Sequence, residues 1–193
     1  MRVVGGRWSG RRFEAPEGRG TTRPTTERTR EAIASMILSE EGLDLTGSRV
    51  LDAFAGSGAM GIELLSRGAA QATFVDRDRR ACALIRRNLA SLAGEGGPWR
   101  VVCGDAQRLV ARRLAGGPFD VVFLDPPYAM GAAEVARMVE AGVASGTIAP
   151  GALVVYERSA EGEPAPVAGA RTVRSRSRGI SCVDLMRVGE DHD

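Results

Sequence analysis

From residue 49 to residue 157 the chain alternates between short apolar runs and longer helix-length stretches, and this alternation restricts the fold more than any other feature of the sequence. The apolar runs fall near 50–53, 72–76, 100–103, 119–124 and 153–157; the stretches between them, 58–67, 78–92, 106–115 and 131–145, have the length of helices. Phe119-Asp-Val-Val-Phe-Leu124 and Ala152-Leu-Val-Val-Tyr156 are almost continuously apolar, as a strand covered on both faces must be. Strands separated by helices imply a parallel, doubly wound α/β sheet. Ahead of this unit a helix is predicted from about Thr26, with Ile33, Met36 and Ile37 at i, i+3, i+4 spacing and Glu27 in its first turn. Behind it, 162–169 reads as a Pro/Ala/Gly-rich loop, and 171–174 with 181–188 as an antiparallel hairpin closing the sheet edge. Gly5-Gly6 between short runs predicts a β-hairpin. The predicted layout is thus a hairpin-and-loop extension over 1–25, a domain over 26–189 and an acidic tail over 190–193.

Composition removes several classes of chemistry. No apolar run reaches the roughly 18 residues of a membrane helix, and Met1-Arg-Val-Val-Gly-Gly-Arg-Trp8 has no apolar signal-like core, so a cytoplasmic protein is expected. Cys82, Cys103 and Cys182 form no metal-ligand spacing, and no metal is expected. All 26 basic residues are arginine, and the single histidine, His192, lies in the tail. A dehydrogenase reading, which needs a proton-transfer His, Lys or Tyr-Lys pair, has nothing to rest on. Net charge is only +2, yet residues 1–30 hold eight arginines against three glutamates, and Arg171, Arg174, Arg176 and Arg178 form a second cluster. Arginine's fixed charge and planar fork suit phosphates and base edges, so a nucleic-acid partner is expected, with Arg7 and Arg11 among the contacts; Trp8 beside them is a candidate for stacking.

The first chemical motif is Asp52-Ala-Phe-Ala-Gly56-Ser-Gly58-Ala-Met-Gly61, running from a strand end into a helix. Its glycines allow a tight turn and close approach of a ligand to backbone N–H groups. By itself the pattern fits a dinucleotide as readily as S-adenosylmethionine. Asp52, four residues before the first glycine, would stand poorly beside a pyrophosphate and well beside a sulfonium or an ammonium. Acids recur at later strand ends: Asp76, 20 residues beyond Gly56, where a ribose diol is held, and Asp105, placed to accept from an adenine amino group. Asp78 reads as a helix cap.

The second motif, Asp125-Pro126-Pro127-Tyr128, ends the fourth run at the carboxyl edge of the sheet. An exocyclic base amine is a poor nucleophile because its lone pair is delocalised into the ring. A carboxylate at Asp125 and the Pro126 carbonyl, both accepting from its N–H groups, favour a pyramidal nitrogen. Two prolines stiffen the turn, and Tyr128 offers a face for a base.

These residues together resemble the class I methyltransferases. Within them the chain is similar to the bacterial 16S rRNA guanine-N2 methyltransferases, the ribosomal RNA small subunit methyltransferase D family. The likeness rests on Met1-Arg-Val-Val-Gly-Gly-Arg7, Arg23-Pro-Thr-Thr-Glu-Arg-Thr-Arg-Glu31, the glycine-loop segment Leu51 to Ala69, Phe74-Val-Asp76, Arg87-Asn-Leu89 and Phe119 to Tyr128. The resemblance implies a seven-strand sheet with an N-terminal hairpin that helps hold RNA. It implies S-adenosylmethionine contacts at Asp52, Gly56, Gly58, Asp76 and Asp105, with the adjoining Ala53, Arg77 and Ala106. It places Asp125, Pro126, Pro127 and Tyr128 on the guanine, and Arg23 and Thr25 near the mouth of the site. The implied substrate is 16S rRNA, within an assembling small ribosomal subunit. Two rivals stay open: an adenine-N6 methyltransferase on DNA or RNA, and a non-catalytic RNA-binding protein with the same fold.

Overall fold

The computed structural model describes residues 1–16 and 26–189. Seven strands form one sheet in the order β3-β2-β1-β4-β5-β7-β6. The strands are β1 (Arg49–Asp52), β2 (Gln71–Asp76), β3 (Trp99–Cys103), β4 (Phe119–Leu124), β5 (Ile148–Ser159), β6 (Ala170–Arg178) and β7 (Ser181–Val188). The helices are α1 (Glu27–Glu40), α2 (Ala59–Ser66), α3 (Arg79–Ala93), α4 (Ala106–Val110) and α5 (Ala132–Ala144). β3, β2, β1, β4 and β5 are parallel; β7 is antiparallel to both β5 and β6. The doubly wound α/β sheet with an antiparallel edge is therefore present.

Alternation along the strands sorts the apolar side chains into two cores. Val50, Phe74, Val121, Phe123, Leu153 and Val155 pack with Ile33 and Ile37 of α1 and Ile62 of α2. Leu51, Val75, Val122, Leu124, Val154 and Tyr156 pack on the other face with Val110 of α4 and Val135 and Val139 of α5. Burial on both faces is the reason that β4 and β5 read as unbroken apolar runs. Helix starts are chemically marked: the Thr26 hydroxyl accepts from the Thr29 N–H at 3.2 Å, and Asp78 caps α3 by accepting from the Arg80 N–H at 2.8 Å.

Three local expectations are corrected. The helix expected over 106–115 is only α4, because the chain reverses at Arg113 (φ 59°) and the Leu114 N–H turns to the Thr147 hydroxyl at 3.0 Å. The strand expected over 171–174 continues to Arg178, held by pairing with β7 rather than by apolar pattern. The N-terminal hairpin is reduced to one isolated bridge, Arg2 with Arg12. Val3 and Arg11 still pair across it at 2.9 Å, but the reversal is a 3-10 turn at Gly6–Trp8. The Gly5-Gly6 pair permits close approach to α2: a Cβ on Gly6 would sit 2.0 Å from the Ser66 carbonyl oxygen.

A buried polar network fastens this arm. Glu63, fully buried, accepts from the N–H groups of Val4 (2.9 Å) and Gly5 (2.7 Å) and pairs with Arg67 (2.9 Å) and the buried Arg30 (3.4 Å). Arg30 also donates to the Arg2 carbonyl, and the Ser66 hydroxyl donates to that of Gly5 at 2.6 Å. Val3, Trp8 and Phe13 are buried in the α1–α2–α3 core.

Candidate active site

Successive strands are added to one side of β1 up to β3 and to the other side from β4, and open α/β sheets bind ligands in the crevice at such a switch point, outside the carboxyl ends. Asp52 and Asp76 end β1 and β2, Asp125 follows β4, and Glu157 lies near the end of β5. Each is two residues beyond a side chain of the α1–α2–α3 core (Val50, Phe74, Phe123 and Val155), so alternation puts all four on one sheet face. Phe123 pairs with Val155 in register, which sets Asp125 and Glu157 side by side.

The glycine loop between β1 and α2 is built by these acids. Asp76 Oδ2 accepts from the Gly56 N–H and Oδ1 from the Asp78 N–H, both at 2.8 Å. Asp52, 2% exposed, accepts from the Gly61 N–H at 3.0 Å. Gly56 and Gly58 have φ of 51° and 74°, which only glycine adopts at little cost. Gly61 is required by contact: a Cβ there would lie 2.3 Å from Phe74 Cε1. Gly61→Ala is expected to destabilise the fold by about 2 kcal/mol through overpacking, lowering the thermal midpoint by roughly 6 °C; a melt within a degree of the parent's would contradict this contact.

The electrostatics are those of a site that wants a cation. Burial pushes the Asp52 carboxyl up to about 7, and the neighbouring Asp125 and Asp76 charges add to the rise. Burial, then the charge of Asp125, raises Glu157 to about 7. Asp125 is open to solvent, yet the surrounding protein desolvates its carboxyl enough to push it towards about 6. A positively charged group set against Asp52 relieves this frustration. The acid row therefore suits a ligand with a cationic centre placed against Asp52.

The Asp125–Tyr128 turn leaves two binding groups open. The Pro127 carbonyl accepts from the Met130 N–H at 2.8 Å, whereas that of Pro126 has no donor among the described residues. Tyr128 is 85% exposed, a large aromatic ring standing in solvent at the carboxyl edge. Carboxylate, free carbonyl and ring thus stand within four consecutive residues next to Asp52.

Ala53, Arg77 and Ala106 flank the same strand ends, and Asp105 caps α4 by accepting from the Arg108 N–H at 2.9 Å. Arg7 and Arg11 are not brought to Asp125. Arg7 lies over the buried Trp8 ring at 4.6 Å, and Arg11 donates to the Leu92 and Ser91 carbonyls at 2.9 and 2.7 Å. Both sit by the C-terminal ends of α2 and α3, which run back toward the amino edge of the sheet. Trp8, 7% exposed, has no face to offer a base. Arg23 and Thr25 lie outside the described residues. Asn88 bonds Glu14 through both its amide atoms, at 2.9 and 3.1 Å. Glu157 is the residue that motif reading missed: its Oε2 is buried with no hydrogen-bond partner. Its signal was an acid closing an apolar run one strand over from Asp125.

Known proteins match this architecture along its length. The family model described as Conserved hypothetical protein 95 matches residues 1–187. Ribosomal RNA small subunit methyltransferase D of Escherichia coli strain K12 is 37% identical over 161 residues, 83% of this chain and 76% of that protein. Among solved structures, the Escherichia coli protein yhhF superposes with a TM-score of 0.82 at 31% identity, covering 99% of each chain. Magnesium protoporphyrin IX methyltransferase of Synechocystis PCC 6803, solved with bound SAM, has a TM-score of 0.63 at 16% identity, covering 89% of this chain and 86% of that one, a likeness of fold.

Proposed function

The chain belongs to the ribosomal RNA small subunit methyltransferase D family, and from that premise we propose that it transfers the methyl group of S-adenosylmethionine to the exocyclic N2 amine of a guanine in 16S rRNA. The observation that carries the reading is the Asp125–Tyr128 turn beside the buried Asp52: an accessible carboxylate, a free carbonyl and an exposed ring next to a cation-seeking acid. The substrate is rRNA in an assembling small subunit, and the reaction takes place in the cytoplasm.

When bound, S-adenosylmethionine supplies a methyl on a sulfonium, which departs as a neutral thioether. Asp52 balances the cationic end, Asp76 accepts from the ribose hydroxyls and Asp105 from the adenine amino group, with Gly56, Gly58, Ala53, Arg77 and Ala106 shaping the walls. Asp125 and the Pro126 carbonyl accept from the two N–H groups of the target amine and aim its lone pair at the methyl. Tyr128 stacks on the base. Asp125 then receives the proton that the amine loses on methylation; a carboxyl raised towards about 6 is a better base than an ordinary one at neutral pH. Alignment of amine and methyl supplies the rest, worth roughly 7–11 kcal/mol.

The raised acid makes cofactor binding pH-dependent. The cation needs the ionised Asp52, whereas the free protein favours the proton below about pH 7. Proton and cofactor compete as the pH falls, so S-adenosylmethionine affinity is expected to drop about tenfold between pH 8 and pH 6. Calorimetric titration across that range checks it; a flat profile would remove Asp52 from the cationic end.

The reaction itself is tested with labelled S-adenosylmethionine and small-subunit particles from cells lacking the enzyme. Label in N2-methylguanosine is expected. Label in N6-methyladenosine would move the target to adenine with the same machinery, and RNA binding without label would reduce the protein to a binder.

A further inference from the structure

β6 and β5 are both antiparallel to β7, so they run the same way, and Arg178 ends β6 at the carboxyl edge that carries Asp125. Arg178 pairs with Ser181, which also pairs with Ser159, two residues beyond Glu157. Arg174 and Arg176 lie opposite Leu185 and Val183, both members of the α1-side core. Residues directly opposite share a sheet face, so the three alternate arginines are directed to the face of the acid row, about 7 Å apart. Between them and α1 runs an open cleft of about 540 Å³, with Arg28 on its helical wall and Met36 at its base.

The charges in this cleft are unevenly satisfied. Arg174 pairs with Glu40 at 2.9 Å, and Arg178 donates to the Arg28 carbonyl at 3.5 Å. The guanidinium groups of Arg28 and Arg176 have no partner among the described residues, and Glu31 is the one acid on the lining. Ile180, 65% exposed, tips the turn from β6 to β7 at the catalytic end. We infer that this cleft is the track for the phosphate backbone of the RNA strand flanking the target base. Arg28, Arg176 and Arg178 hold successive phosphates, and Ile180 packs against the nucleotide that leaves the cleft for the Asp125 turn. The spacing of alternate strand residues is close to one extended nucleotide step, and arginine forks match phosphate oxygens. The inference rests on the RNA substrate proposed above. It moves the main basic contact from the N-terminal arm, where Arg11 is engaged with α3, to the opposite edge of the sheet.

The test is binding of the full-length chain to naked 16S rRNA over a salt series, comparing the parent with Arg176→Ala/Arg178→Ala. Removal of two phosphate contacts is expected to weaken binding about tenfold at roughly 0.15 M salt and to flatten the log-affinity against log-salt slope by about 1.4. S-adenosylmethionine affinity and the melting temperature stay at the parent's values, which excludes misfolding. Arg112→Ala/Arg137→Ala, removing equal charge from the opposite face, leaves the rRNA affinity within about twofold. Unchanged affinity and slope in the cleft variant, equal loss in the control, or no rRNA binding by the parent overturns the inference. So does a loss confined to assembled particles, which would assign the cleft to a ribosomal protein. Methyl transfer by the parent is read separately: cleft-dependent RNA binding without it keeps the track and removes the reaction.

Discussion

Asp125→Ala is expected to lower methyl transfer to small-subunit particles by about 10³-fold while leaving S-adenosylmethionine affinity at neutral pH nearly unchanged. In the proposed arrangement the carboxylate meets the reacting amine, and Asp52, Asp76 and the glycine loop hold the cofactor. Its loss therefore falls on the chemical step. Asp125→Asn keeps the shape and one acceptor oxygen but not the charge or the basicity, so it is expected to retain more activity than alanine. Both variants carry a second signature. The Asp125 charge helps to raise Asp52 and Glu157, so removing it lets Asp52 ionise at lower pH. The midpoint of the pH dependence of cofactor affinity should move to more acidic values. Steady-state kinetics at saturating cofactor, together with calorimetric titration, separate the two effects. A variant with full activity would take Asp125 out of catalysis; an unmoved affinity midpoint would show that Asp125 and Asp52 are not electrostatically linked.

Glu63→Ala is expected to cost about 3–5 kcal/mol of folding stability, a fall in melting temperature of about 10 °C. Glu63 is fully buried and accepts from two backbone N–H groups and two arginines. Its removal leaves Arg30, 1% exposed, as a buried cation without its counter-charge, and strands the Val4 and Gly5 donors. Glu63→Gln keeps the acceptor geometry and should lose less, which distinguishes the charge from the hydrogen bonds. The arm should also loosen, so amide exchange at Val4 and Gly5 should quicken more than at β4. Thermal melts and hydrogen exchange measure these effects; a fall of under 2 °C would mean that the arm is held by Val3, Trp8 and Phe13 alone.

The parallel sheet and the positions of its strand ends could be read in the residues. Continuous apolar runs such as Phe119–Leu124 have few ways to be buried, and local signals marked their limits: Asp78 as a cap, glycines after Asp52, prolines after Asp125. The placement of Asp52 and Asp76 could be read for the same reason, since each ends a strand and the sheet gathers its carboxyl ends. The arm could not be read correctly. Gly5-Gly6 has the composition of a tight turn, but its use is close approach to Ser66, a partner some sixty residues away. Arg11 and Trp8 looked like RNA contacts because a basic, aromatic segment has the same composition whether it faces a nucleic acid or a helix C-terminus.

Sequence by itself determined the periodicities, the caps, the two motifs and therefore the fold class, because each depends on neighbours within a few residues along the chain. Tertiary structure alone decided which charges are satisfied. Glu63 became a buried hub instead of a helix-surface acid because the arm and α1 close over α2. Glu157 became part of the acid row because parallel register sets it beside Asp125, 32 residues earlier in the chain. The arginines of β6 became one wall of a cleft because pairing with β7 turns them toward α1. The field at a charged group depends on distance in space and on the water removed from around it, and neither quantity is written in the order of the residues.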